Sequence, residues 1–171
     1  KQRFLDELKT LCAIPSISTD PAYNAEIQQV AEWIAVKLRC FGAENVQILP
    51  TEGHPVVYGE ILKARPNAKT ILIYGHYDVQ PAESLTLKSW ESDPFTPTVR
   101  GENLYGRGVT DMKGQIMACI NAVEAVTHQG DFPVNIKFMI EGEEEIGSEH
   151  LENFIIKHKE LLACDYVLNA D

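Results

Sequence analysis

Three apolar, strand-like runs in this chain end in side chains that can bind a metal ion. With their polar ends, the runs occupy residues 71–78, 134–145 and 165–171. Helix-like segments separate them, and strands that alternate with helices favour an α/β fold with parallel central strands. The carboxyl ends of parallel strands meet at one edge of the sheet, where open α/β sheets bind their ligands. We therefore predict that the polar ends of the three runs converge into a cation site.

The apolar periodicity of the whole chain predicts one layered domain. Helices are predicted over residues 3–12, from Pro21 to near Gly42, over 112–127 and near 148–162. Strands are predicted over residues 45–49, 55–62, 70–75, 134–141 and 165–170. Residues 77–108 show no clear element, and a loop of this length inside a compact domain is usually functional.

Composition narrows the possible partners and the cellular compartment. The formal net charge of −10 argues against a nucleic acid or an anionic membrane as partner. No apolar run approaches the roughly 20 residues that a membrane span needs, and the beginning of the chain does not read as a signal peptide. The four cysteines are widely separated and none forms a CxxC pair, so we interpret them as reduced core residues of a cytoplasmic protein.

His76 and Asp78 stand two residues apart at the end of a predicted strand, so their side chains can project to the same side. Histidine is a common zinc ligand, and its second ring nitrogen usually needs a carboxylate or carbonyl partner. A His-x-Asp pair alone is weak, because a histidine satisfied within a loop is the more frequent outcome.

Asp111 lies in a glycine-rich segment, residues 104–114, just before a predicted helix. Helix capping is the ordinary explanation for an aspartate at that position. Gly106 and Gly108 do not form a nucleotide-binding loop, because the third glycine is missing and no tight turn from a strand precedes them. Flexible backbone around a single carboxylate favours a closely packed metal ligand.

Glu143, Glu144 and Glu145 follow the strand predicted over residues 134–141. A charge run is usually a solvated surface. This run instead continues an alternating strand, and adjacent carboxylates repel one another unless a cation is present. Hydrolysis at a metal needs one carboxylate to bind the ion and another to take the proton of the bound water.

Asp171 follows a well-formed strand and is a further candidate ligand, although an aspartate at the end of a chain can simply be exposed. The remaining histidines lack a comparable context and are predicted to lie on the surface: His54, His128, His150 and His158. The sequence contains no HExxH, GxSxG or P-loop motif, so zincin, serine-hydrolase and NTPase chemistry lack support.

Taken together, these residues resemble the M20 family of metallopeptidases, the aminoacylase, carboxypeptidase and dipeptidase family. Three motifs in order carry the resemblance, residues 75–81, 104–114 and 141–148, with Trp90, Pro94, Phe95 and Pro97 between the first two. Tyr77, Gln80 and Pro81 are most similar to the dipeptidase branch, which includes carnosinase-like enzymes. The resemblance implies a three-layer α/β/α fold of the zinc-exopeptidase type, with a mixed, centrally parallel sheet.

The resemblance also implies a site for two zinc ions, with Mn²⁺ or Co²⁺ as possible substitutes. His76 and Asp171 would bind one zinc, Glu145 would bind the other, and Asp111 would bridge both. The peptide bond between Asp111 and Met112 is expected to be cis.

Two further residues are predicted to be catalytic by the same resemblance. Glu144 would be the general base that takes the proton of a metal-bridging water, a choice over Glu143 that comes from counting back from Gly147 and Ser148. Asp78 would orient His76. The predicted reaction is metal-dependent hydrolysis of the peptide bond of dipeptides or short peptides.

Other parts of the family pattern are missing. Family members carry another histidine ligand later in the chain and an inserted lid and dimerisation domain. We therefore expect residues 1–171 to be the N-terminal segment of the catalytic domain of a homodimer, inactive by itself. The alternatives are an N-acyl-amino-acid deacylase or a succinyl-diaminopimelate desuccinylase on the same scaffold, or an inactive metal-binding or scaffold protein. Glu144 argues against the last, since a purely structural site needs no free base.

Overall fold

The computed structural model describes residues 2–82, 88–128 and 132–171. The α-helices are α1 (Gln2–Cys12), α2 (Asn24–Cys40), α3 (Lys113–Thr127), α4 (Leu151–Lys157) and α5 (Lys159–Leu162). The strands are β1 (Glu44–Leu49), β2 (Val56–Ile61), β3 (Thr70–His76), β4 (Thr98–Arg100), β5 (Asn103–Tyr105), β6 (Asn135–Glu141) and β7 (Tyr166–Asn169). Short 3₁₀ turns occupy Pro21–Tyr23 and Glu144–Ile146.

The main sheet has the strand order β1-β2-β6-β3-β7. β3 runs parallel to both β6 and β7, whereas β1 and β2 join the sheet by antiparallel pairing. The sheet is therefore mixed and centrally parallel, which confirms the predicted class. His76 pairs with Glu141 at the last position of the β3–β6 ladder, so these two strands end at the same edge.

Side chains that alternate along the strands form two apolar layers on opposite faces of this sheet. Ile73 and Phe138 belong to a cluster with α1, α2 and α3, whereas Leu72 and Met139 belong to a cluster with α4 and α5. Helices thus cover both faces, and the three-layer α/β/α prediction is confirmed. No helix in the described ranges is both long enough and apolar enough to cross a membrane.

Several elements differ from the predictions. The loop at 77–108 contains the β4–β5 hairpin, whose strands have three residues each and are too short to show alternation; residues 83–87 of this loop lie outside the described residues. The helix predicted near 148–162 is two helices that meet at His158. The glutamate run does not extend β6, because the chain turns into the 3₁₀ segment there.

A buried lysine fixes the start of α3 against the N-terminal helix. Lys113 is completely buried, and its ammonium donates to the carbonyls of Leu11 at 3.2 Å and Ile14 at 2.8 Å. These carbonyls lie at or just beyond the C-terminal end of α1, where a cation is favourable. The contact anchors the chain two residues after Asp111, and thereby the loop that delivers Asp111 to the sheet edge.

Candidate metal centre

His76 is the last residue of β3, and its imidazole is fully buried. Its Nδ1 lies 3.1 Å from the backbone carbonyl oxygen of Asp78 and 3.2 Å from the Asp78 carboxylate. Neither of these oxygens can donate a hydrogen bond, so the proton resides on Nδ1 and the imidazole donates it. Nε2 is thereby kept for a metal ion, the usual arrangement of a ligating histidine.

Two carboxylates meet Nε2 at the edge of the sheet. The Asp111 carboxylate lies 3.1 Å from this nitrogen and the Asp171 carboxylate lies 3.7 Å from it. One ligand atom from each of these three residues lies within 4.8 Å of the others. Both aspartate side chains are partly exposed, so the group opens to solvent on their side. The structure therefore brings together three of the four predicted metal ligands.

Glu144 adds another carboxylate on the same side of the imidazole, 3.8 Å from Nε2 and 39% exposed. Burial alone would lower the pKa of His76, but the contact with Asp78 and the negative charges of Glu144 and Asp171 outweigh burial and raise it to about 9. Three carboxylates, those of Asp111, Glu144 and Asp171, therefore face a single imidazole. A divalent cation would balance this charge and displace the Nε2 proton, so the residues fit a metal site.

Asp78 is fully buried and joins the imidazole to the glutamate turn. In addition to its contact with His76, its carboxylate accepts the backbone amide of Glu144 at 3.2 Å and that of Glu145 at 3.1 Å. Its charge is therefore solvated by the protein itself. One side chain fixes both the orientation of the imidazole and the start of the 3₁₀ turn.

Glu145, the fourth predicted ligand, does not join the group of three. Its backbone carbonyl accepts a hydrogen bond from the Gln80 side chain at 2.8 Å. Burial raises the pKa of the Glu145 carboxyl, and the nearby charge of Asp111 raises it further. Glu145 therefore lies close enough to interact with the charges of both Asp111 and His76, although it is outside the group of three ligand atoms.

Glu143 and His150 form an interaction that the sequence interpretation missed. Glu143 is 4% exposed, and its two carboxylate oxygens lie 3.0 and 3.1 Å from Nδ1 of His150. The hydrogen bond to Glu143 raises the pKa of His150. The sequence interpretation predicted only a surface position for His150. Its side chain is 28% exposed, and its pairing with Glu143 was not predicted. The pair spans seven residues, and no periodicity in the sequence connects them.

Tyr77 and Gly142 pack against each other below the site. The Tyr77 hydroxyl donates to the carbonyl of Pro55 at 2.6 Å, and the ring is completely buried. A Cβ on Gly142 would lie 2.4 Å from the Tyr77 hydroxyl oxygen, so only glycine fits where the chain leaves β6. Across the site, the Asp111–Met112 peptide bond is cis, which confirms the expectation drawn from the resemblance.

The profile of the family described as Peptidase family M20/M25/M40 matches residues 72–170. The chain belongs to this family. The matched M20 segment runs from β3 through the Asp111 loop and the glutamate turn to the residue before Asp171, so it includes most of the geometry described above.

Known relatives of this M20 chain include several dipeptidases. The chain is 38% identical to the Cys-Gly metallodipeptidase dug1 of Schizosaccharomyces pombe, over 91% of this chain and 34% of that protein. It is 38% identical to the Beta-Ala-His dipeptidase of Mus musculus, over 100% of this chain and 37% of that protein. The chain therefore spans about a third of the length of these relatives.

Solved structures agree with the fold. Human carnosine dipeptidase 1 superposes with a TM-score of 0.90 at 36% identity, over 99% of this chain and 38% of the other. The M20 family metallo-carboxypeptidase Sso-CP2 from Sulfolobus solfataricus superposes with a TM-score of 0.86 at 38% identity, over 97% of this chain and 36% of the other.

Proposed function

We propose that the protein containing this M20 chain is a dipeptidase that uses two divalent cations, preferably Zn²⁺. The observation that carries the proposal is the contrast between two neighbouring glutamates. Glu144 presents a partly exposed carboxylate 3.8 Å from Nε2 of His76, whereas Glu143 is buried against His150. Of these two glutamates, Glu144 is the one that can exchange a proton with a molecule in the site, which supports the sequence-based choice of base.

His76, Asp111 and Asp171 would hold the first cation, a set of three protein ligands typical of a catalytic zinc site. Asp111 and Glu145 would hold the second, together with a histidine from elsewhere in the protein. Mn²⁺ or Co²⁺ would suit the same nitrogen and oxygen donors. When bound, the cations would supply Lewis-acid activation of water and polarise the peptide carbonyl.

Glu144 would act as the general base. It would take a proton from water as the water oxygen bonds to the peptide carbonyl carbon, and would deliver that proton to the leaving amine as the C–N bond breaks. Asp78 would act as a positioning residue, because its carboxylate holds the imidazole of His76 and the amides of Glu144 and Glu145. The reaction would leave two free amino acids and would need no external oxidant or reductant.

The relatives suggest the substrate class. Their names specify Cys-Gly and beta-Ala-His as substrates, so we propose unprotected dipeptides rather than N-acyl amino acids. The remaining chain of the protein would provide the second histidine, a lid and the dimer contact. This segment alone would then bind at most one cation tightly and show no appreciable turnover, which zinc calorimetry and a dipeptide assay on the isolated chain test.

The cysteines support a reducing compartment such as the cytoplasm. All four are free thiols. Cys40 and Cys164 are exposed, so the prediction that all four are core residues is wrong for these two. Cys12 is completely buried, and burial raises its pKa to about 11. Such a thiol is a core residue with little thiolate character.

Substituting Glu144 in the full-length protein tests the proposed reaction. Glu144→Gln keeps the volume of the side chain but removes the base, so we expect kcat on Cys-Gly and beta-Ala-His to fall at least ~10²-fold. Metal content, measured by plasma mass spectrometry, should be unchanged. Glu149→Gln, at an exposed position of the same segment, is the matched control and should retain full activity.

Two results would contradict the proposal. Faster hydrolysis of an N-acyl amino acid panel than of the dipeptides would place the protein among the deacylases. If dipeptide turnover persists both after metal chelation and in Glu144→Gln, a metal-dependent mechanism with Glu144 as the base is excluded.

A further inference from the structure

Glu143 is a buried carboxylate for which the proposed reaction has no use. An ionised group in such a position needs a polar partner, and His150 is the side chain in contact with both of its oxygens. His150 lies at the start of α4. The pair therefore joins the residue before Glu144 to the helix that follows the turn.

The backbone of Glu143 closes the same turn. Its carbonyl oxygen accepts the amides of Ile146 at 3.2 Å and Ser148 at 2.8 Å. Glu143 thus binds the far end of the turn through its main chain and the next helix through its side chain. The backbone at Glu144 is therefore fixed on one side by these contacts and on the other by the Asp78 carboxylate, which accepts the Glu144 amide.

A third element covers the pair. Gly53 lies in the turn between β1 and β2, and a Cβ added there would stand 1.8 Å from a Glu143 carboxylate oxygen and 2.8 Å from Nδ1 of His150. Only glycine leaves room for the ion pair beneath this turn. A residue on a distant strand connection therefore limits the freedom of the carboxylate beside the proposed base.

We propose that Glu143 and His150, covered by Gly53, are positioning residues that hold the Glu144 carboxylate facing the metal group. The inference rests on the proposed function, because the two residues would position Glu144 for its proposed role as general base. Without the pair, the 3₁₀ turn would gain backbone freedom and Glu144 would spend less time in the productive orientation. The loss would fall on kcat and leave substrate binding intact, since none of the three residues belongs to the group formed by His76, Asp111 and Asp171.

The test compares variants of the full-length protein. Glu143→Leu and His150→Leu should each lower kcat by about 10- to 100-fold, the scale of a small misplacement of a reacting group, with KM and zinc content within about twofold of wild type. Glu143→Gln keeps an acceptor oxygen for the imidazole and should restore most of the rate. The double variant Glu143→Leu/His150→Leu should be no slower than either single one, because the two residues act as a unit.

Gly53→Ala approaches the pair from the other side. Its methyl group should displace the Glu143 carboxylate and lower kcat in the same direction, whereas Glu149→Leu, on an exposed side chain of the same segment, should change nothing. A fall in melting temperature with kcat unchanged at 25 °C would show that the pair only stabilises the fold, and would overturn the inference.

A second readout does not depend on activity. In Glu143→Leu, the backbone amides of residues 144–148 should exchange with deuterium at least about 10-fold faster, while those of β3 should exchange at the wild-type rate. Unchanged exchange over 144–148 overturns the inference even if turnover falls. If the wild-type protein hydrolyses no dipeptide, the proposed function fails, and the exchange measurement still decides whether the pair holds the turn.

Discussion

The two sides of the metal centre are built differently. On the β3–β6 side, His76 and Asp78 are completely buried, and the Asp78 carboxylate accepts a backbone amide of the turn that carries Glu144. On the β7 side, Tyr166 and Val167 are 60% and 61% exposed. Asp171 follows a strand that pairs on one edge only within the part of the chain that the structure describes. The chain thus organises one half of the site by itself and leaves the other half open.

The two faces of the sheet also differ. An apolar groove lies beside β7 on the face that α4 and α5 cover. Its volume is about 430 Å³, and its lining includes Leu72, Met139, Ile155, Leu162 and Val167. The opposite face is closed by three long helices. The difference indicates where effects of substitution should be large in this chain alone, and where they should depend on the rest of the protein.

The largest effect is expected for His76→Ala in the full-length protein. The variant removes the one nitrogen ligand at the organised side of the site, and several kcal/mol of transition-state stabilisation with it, so kcat/KM should fall at least about 10³-fold. Zinc content should drop by one ion per chain. His128→Ala, at an exposed histidine, is the control; a His76→Ala enzyme with full zinc content would mean that the buried side does not anchor the metal.

Asp78→Asn should produce the next largest effect. The asparagine is almost isosteric, but its amide nitrogen cannot accept a hydrogen bond. One of the two oxygens that face the imidazole and the Glu144 and Glu145 amides is therefore lost as an acceptor. Zinc affinity should fall about 10- to 100-fold, the usual range for a residue that orients a ligand. Calorimetric titration measures the zinc affinity. An unchanged affinity would show that Asp78 does not orient His76 for metal binding.

Gly142→Ala tests the packing beneath the organised side. The added methyl group would overlap the Tyr77 ring, so the free energy of unfolding should fall by about 1–3 kcal/mol. Urea denaturation of the isolated chain gives this value, with Glu149→Ala as the exposed control, expected within about 0.5 kcal/mol of wild type. If Gly142→Ala left the free energy of unfolding unchanged, the packing around Tyr77 would accommodate an added methyl group.

The smallest effect in this chain is expected at Val167. Val167→Ser in the isolated chain should change the free energy of unfolding by less than about 0.5 kcal/mol, because the side chain is already exposed. In the full-length protein the same substitution should cost about 1–3 kcal/mol if another segment covers β7. An equal change in the free energy of unfolding in the isolated chain and in the full-length protein would mean that no other segment covers β7.

The convergence of the ligands followed from the sequence because parallel strands end together. His76, Glu141 and Asp171 lie at or just beyond the ends of β3, β6 and β7, and the apolar runs before them identified those strands. The three-layer class followed from the same alternation of strands and helices. The family pattern added the cis peptide at Asp111, which spacing alone does not indicate.

Contacts between side chains distant in sequence were not predictable. Asp78 can accept the amides of Glu144 and Glu145 because the chain forms a 3₁₀ turn there and not an extended strand. The pattern of charges in the sequence does not indicate such a turn. The Glu143–His150 pair depends on where α4 begins. β4 and β5 were missed because strands of three residues are shorter than the pattern that reveals a strand.

The position of β6 between β2 and β3 has a consequence for protein synthesis. Val57 pairs with Ile140 and Ile71 with Ile136, so neither β2 nor β3 can complete its pairing until β6 has left the ribosome. Between residues 76 and 141, translation at about 5–20 residues per second lasts roughly 3–13 s. Throughout that interval the nascent chain carries unpaired apolar strand edges, the kind of surface that chaperones bind, and the metal ligands cannot yet meet.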